Sequence, residues 1–105
     1  MKNISYYENI NQKEGYSMLN DVFTYQRFLV YVVNDETKVK VIKSIINYRA
    51  DYSAITIVDH RTCKNGEYYV WQVKCPRFEF DDLMRTLLRQ ENISESDLVF
   101  KKYDA

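Results

Sequence analysis

Gly15, Gly66 and Pro76 are the entire supply of glycine and proline in 105 residues. A phosphate-cradling loop needs closely spaced glycines so that several backbone N–H groups can converge, and two glycines so far apart cannot form one. The same scarcity excludes a collagen-like or Gly/Pro-rich low-complexity chain. Cysteine is limited to Cys63 and Cys75, too few for a disulfide-dense scaffold. His60 is the sole histidine and has no companion at metal-ligand spacing, so neither a metal nor a cofactor is expected. An excess of one charge is missing as well: Lys+Arg and Asp+Glu are each 15. That argues against a histone-like binder and against an acidic nucleic-acid mimic, unless charge is segregated by face. No apolar run reaches the length of a signal-peptide core or a membrane span, which predicts a soluble, cytoplasmic protein with no membrane partner.

What the chain does contain is tyrosine, ten of them, against a background of 46% hydrophobic and 29% charged residues that is ordinary for a globular domain. Its length suits one domain able to bury a modest core without staples. Lysine, isoleucine, asparagine and tyrosine, the residues of AT-rich codons, are over-used, so an AT-rich source such as a phage or mobile element is expected.

Residues 1–21 are polar with scattered Tyr6, Tyr7, Tyr16, Met18 and Leu19, and read as an arm ahead of a domain spanning 22–105. Phe23 to Val33 is β-branched and aromatic, too apolar for an edge, and predicts a central strand. Asn34-Asp35 can cap a helix in which Val39, Ile42, Ile45 and Ile46 keep helical spacing as far as Ala50. Lys64-Asn65-Gly66-Glu67 lies between two β-rich runs, Ser53–Cys63 and Tyr68–Cys75, and Asn-Gly supplies the two positive-φ residues of a type I′ turn. Pro76 ends the hairpin. Phe80, Leu83, Met84, Leu87 and Leu88 form a second helical stripe with Asp81 or Asp82 near its start, and Leu98–Tyr103 makes a last strand. The order βαββαβ predicts a ferredoxin-like α+β fold: a four-stranded antiparallel sheet with two helices on one face.

The Asn65-Gly66 turn sorts side chains by face. With Lys64 opposite Glu67, Cys63 faces Tyr68 and Cys75 faces Thr56, so the two sulfurs lie on opposite faces, roughly 20 Å apart, and cannot bridge. Alternation assigns Ala54, Thr56, Val58, Tyr69, Trp71, Val73 and Cys75 to the helix side, with His60 opposite Trp71 in a structural role. Ile55, Ile57, Asp59, Arg61, Tyr68, Val70, Gln72 and Lys74 go to the open side. Phe28, Val30, Val32, Leu98 and Phe100 point inward, and the core is completed by Ile42, Ile46, Leu83 and Leu87. The uncovered face then carries Tyr25, Arg27, Tyr31, Arg61, Tyr68, Lys74, Lys101 and Tyr103, with Asp59 its one acid. Aromatics and cations gathered on an exposed sheet mark a partner surface.

Chemistry-bearing motifs are otherwise absent. Cys63 has Arg61 and Lys64 nearby, but the sole histidine, His60, falls on the other face of the sheet by alternation and cannot serve it as a base. Asp81-Asp82 is explained by capping, with Arg85 and Arg89 pairing to these acids along a solvated face. Val30-Tyr31-Val32-Val33-Asn34 resembles the first-strand motif of RNA-recognition motif domains, whose aromatic stacks on a base. In the third-strand segment Asn65-Gly66-Glu67-Tyr68-Tyr69-Val70-Trp71 the aromatic spacing departs from that family's pattern and Glu67 occupies an early position, so membership is not assigned. The expectation is a non-enzymatic protein that occludes a protein partner through the open sheet face. Single-stranded nucleic acid through the same residues is the alternative, and a homodimer burying the two open faces, as scaffold or small-molecule sensor, is a third.

Overall fold

A computed structural model describes residues 23–103; the arm expected over 1–21 lies outside them. The elements run β1 (Gln26–Val33), α1 (Glu36–Tyr52), β2 (Thr56–Cys63), β3 (Tyr68–Cys75), α2 (Arg77–Leu88), a 3-10 turn (Glu95–Asp97) and β4 (Leu98–Lys102). The sheet order is β2-β3-β1-β4 with every neighbouring pair antiparallel. Phe28, Val30, Val32, Trp71 and Val73 from the sheet share one core with Ile42 and Ile46 of α1 and Leu83 and Leu87 of α2. Both helices therefore cover the same face, and the fold is the ferredoxin-like α+β arrangement.

Local chemistry accounts for the helix ends. The Asp35 carboxylate accepts from the backbone N–H groups of Thr37 and Lys38 (3.0 and 3.2 Å), satisfying two of the first-turn donors of α1. α2 begins earlier than its apolar stripe suggests, at Arg77 directly after Pro76, whose φ of −64° already suits a helix start. Asp81 and Asp82 consequently lie inside the helix rather than capping it. Asp81 meets Arg77 (3.7 Å), and Asp82 ties Arg49 of α1 (2.8 Å) and Arg85 (3.6 Å). Arg89 does not join that acidic pair; its Nε donates to the Arg85 carbonyl (3.3 Å). Leu88, expected in the stripe, is 37% exposed and lies outside the core, and Phe100 is only partly buried against it.

Lys38 of α1 reaches Asp97 (2.9 Å), just before β4. The Asp97 carboxylate also accepts from the Ser94 backbone N–H (2.9 Å), and this bond, then Lys38, holds its pKa below the ordinary carboxylate value.

The hairpin register agrees with the sequence at its tip and departs from it further down. Cys63↔Tyr68, Thr62↔Tyr69, Arg61↔Val70, His60↔Trp71 and Asp59↔Gln72 follow the Asn-Gly register, whereas Ile57 pairs with Val73 and Thr56 with Lys74. A β-bulge at Val58 absorbs one residue. It reverses four face assignments: Ile55 is buried and Ile57 packs against the core, while Thr56 and Val58 are exposed. The reason is burial energy. Two isoleucines gain about 1.5–3 kcal/mol each on leaving water, more than a threonine and a valine would return. Cys75 points inward and Cys63 does not, and both are free thiols.

Candidate partner-binding face

The register places the outward residues in cross-strand rows. From the hairpin tip downward these are Cys63–Tyr68–Val33, Arg61–Val70–Tyr31–Val99, Asp59–Gln72–Leu29–Lys101, and Thr56–Lys74–Arg27. Tyr103 continues the last row, its N–H donating to the Arg27 carbonyl (3.0 Å). Tyr31 is thus central, with Tyr68 on its diagonal, and the two rings meet edge to face at 6.1 Å.

Around this pair the structure builds a notch lined by Tyr31, Lys64, Tyr68, Val99 and Lys101, with room of about 40 Å³. Lys64 Nζ lies 5.3 Å from the Tyr31 ring centre and 5.6 Å from that of Tyr68, and Lys101 Nζ lies 5.6 Å from Tyr31. Ammonium groups at this range are attracted to the negative ring faces, by about 0.5–1 kcal/mol at exposed sites.

Lys64 is the residue that sequence reasoning missed. Strand alternation gives a turn residue no face, and only the turn conformation directs it. Lys64, Asn65 and Gly66 all have positive φ (52°, 61° and 84°), and successive bonds from Gly66 N–H to the Cys63 carbonyl (3.1 Å) and from Glu67 N–H to the Lys64 carbonyl (3.2 Å) close two overlapping turns. Asn65-Gly66 are central in the second, as expected, and Lys64 adds a left-handed residue that is uncommon outside glycine. Asn34 fixes the loop from the end of β1: its N–H donates to the Glu67 carbonyl and its Nδ2 to the Gly66 carbonyl, each at 2.9 Å.

The remaining expected residues divide. Arg27 sits 6.0 Å from the Tyr103 ring and directly opposite Lys74, forming a second cationic group at the far end of the sheet. Arg61 is on the open face but is drawn to Asp59 (3.4 Å), and Tyr25 precedes β1 as an exposed outlier. None of the ion pairs among the described residues involves Arg27, Lys64, Lys74 or Lys101.

The chemistry elsewhere is quiet. Burial, then the nearby charges of Glu79 and Asp81, push the Cys75 thiol up to about 12, which leaves it protonated and inert at neutral pH. His60 keeps its register opposite Trp71 yet is exposed, with Nδ1 2.7 Å from the Tyr69 hydroxyl. No cluster of His, Cys, Asp or Glu able to hold a metal lies among the described residues, and no helix among them is long and apolar enough to cross a membrane. No family model matches the sequence, and no curated protein matches it.

Proposed function

We propose that the protein is a non-catalytic binding domain that docks the open face of its sheet onto an acidic protein surface and occludes it. The observation that carries this reading is that three cations of this face lie against tyrosine rings and in no ion pair among the described residues, Lys64 and Lys101 on Tyr31 and Arg27 beside Tyr103. A cation held by a ring keeps its charge available to a partner, and the ring supplies rigid contact area at low entropic cost. Base stacking is less well served. The ring face that a nucleobase needs is shared with ammonium groups, and Tyr68 meets Tyr31 edge-on. Face-to-face homodimerisation would bring together two faces that each carry Arg27, Lys74, Lys64 and Lys101 and is opposed by like charge. A small domain of AT-rich coding usage acting inside a cell fits a phage or mobile-element product directed at a host protein.

The test is capture from a lysate by the immobilised full chain, with and without nuclease. A protein retained after nuclease, and lost with Tyr31→Ala or with Lys64→Glu plus Lys101→Glu at unchanged unfolding midpoint, supports the reading. Recovery of RNA or DNA overturns it, above all if removing Tyr31 or Tyr68 costs about 1–3 kcal/mol in oligonucleotide affinity and binding falls steeply with salt.

A further inference from the structure

The edge of the sheet at β2 overhangs the helix layer. His60 and Thr62 are on the same side as buried Trp71, yet both are exposed. The result is an open trough of about 500 Å³ between α1 and the sheet, lined by Asn34, Val39, Lys40, Lys43, Thr62 and Tyr69 together with Glu36. Tyr69 forms a fixed wall, held by His60 at its hydroxyl (2.7 Å) and against Trp71 at its ring (4.7 Å between centres). Neither Lys40 nor Lys43 takes part in an ion pair among the described residues.

Among the described residues, β2 pairs on one side only. In an antiparallel ladder, backbone groups of alternate residues point away from the partner strand. The His60 N–H donates to the Asp59 carboxylate (2.9 Å), which marks His60 as one of these outward residues and Thr62 as the next. The bulge at Val58 breaks the edge below this point, so the straight segment whose outward backbone groups have no strand partner among the described residues is short and lies beside the trough.

We infer that this edge is a second docking site, which takes an extended acidic peptide of a partner protein by strand addition. The peptide backbone pairs with the Thr62 N–H and carbonyl and the His60 carbonyl. Alternate side chains on one face of the added strand enter the trough, where carboxylates meet Lys40 and Lys43 and methylenes cover Val39 and Tyr69. Charge complementarity selects the acid, and the free edge selects the extended conformation.

The probe is a fluorescent octapeptide of alternating glutamate and threonine, titrated by anisotropy against the full chain, with a lysine-threonine octapeptide as control. Thr62→Pro removes the outward donor while leaving the β3 ladder intact, since edge positions tolerate proline. Lys40→Glu plus Lys43→Glu alters two exposed helix positions and keeps the idea testable if the proline variant unfolds. The expected result is saturable binding of the acidic peptide, weakened about tenfold or more by either variant. Lys64→Glu plus Lys101→Glu should leave it unchanged, which separates this site from the open face. Equal binding of the lysine peptide, loss through the Lys64/Lys101 pair instead, or a concentration-dependent dimer abolished by Thr62→Pro would each overturn the inference.

Discussion

The two faces of the sheet handle positive charge in opposite ways. On the helix side Lys38, Arg49, Arg77 and Arg85 each meet a carboxylate, Asp97, Asp82, Asp81 and Asp82 respectively. Arg49 also donates to the Thr86 hydroxyl (2.7 Å), linking the two helices. On the open side Lys64, Lys101 and Arg27 lie near tyrosine rings, Lys74 stands directly across from Arg27, and Arg61 alone is paired with an acid. Among the described residues, these four helix-side cations are thus matched by acids, while the cations of the open face other than Arg61, and exposed Lys40 and Lys43 of α1, are not. The open face also carries conformational cost, since Lys64 is held at φ 52°, a region that disfavours a residue with a Cβ by about 1–2 kcal/mol. The helix side is organised for stability, and the open side gives some of it up.

The largest effects should fall on the covered face. Leu87→Ala deletes a fully buried side chain beneath the sheet and should cost about 2–5 kcal/mol in denaturant unfolding. Lys101→Ala on the other face should stay within about 0.5 kcal/mol. Comparable losses at both positions would remove the distinction between the faces. Next in size, Gly66→Ala should cost about 1 kcal/mol. An added Cβ meets nothing within 4 Å, so the penalty comes from φ +84° alone. Because the loop also aims Lys64, this variant should weaken partner capture more than its stability loss explains, whereas Leu87→Ala should not.

The division between faces was legible in the sequence only where periodicity was unbroken. Phe28, Val30 and Val32 alternate cleanly in β1, and Trp71 and Val73 in β3, and all five are buried. Asn65-Gly66 set the pairing as far as Asp59↔Gln72. Past that point Ile55 and Ile57 compete with Thr56 and Val58 for the inward face, and only an inserted residue reconciles the turn register with burial of both isoleucines. That conflict between turn chemistry and hydrophobicity was the available signal for the bulge. The site was legible in part: alternation finds Tyr31, Tyr68 and Lys101, but not Lys64, whose direction depends on three consecutive left-handed residues. The trough beside β2 was not legible, because it depends on how far α1 extends over the sheet, which no local pattern encodes.

Acid should act on the Asp97 contact with Ser94 and Lys38. The Asp97 carboxyl titrates below its ordinary value because the Ser94 N–H and Lys38 favour the ionised form. A group whose folded pKa is depressed contributes stability above its unfolded value and loses it as pH falls through the folded one. Unfolding midpoints should therefore decline below about pH 4, and Asp97→Asn should flatten part of that decline. A decline unchanged in Asp97→Asn would assign the acid limb to other carboxylates.

The smallest effect is the most diagnostic, because its sign differs between stability and binding. Arg27 and Lys74 are direct cross-strand partners, and like charges so placed destabilise a sheet. Lys74→Glu converts the repulsion into an attractive pair and should raise stability by about 0.2–1 kcal/mol, measured as a higher denaturant midpoint at unchanged slope. The same change puts an acid among the cations of the open face, so association with an acidic partner should slow and its salt dependence should flatten. A gain in stability with a loss in association would mean that the juxtaposed cations are retained for recognition at the expense of the fold. If Lys74→Glu stabilises the domain and leaves association untouched, the lower end of the face lies outside the contact. Recognition would then centre on the notch of Tyr31, Tyr68, Lys64 and Lys101.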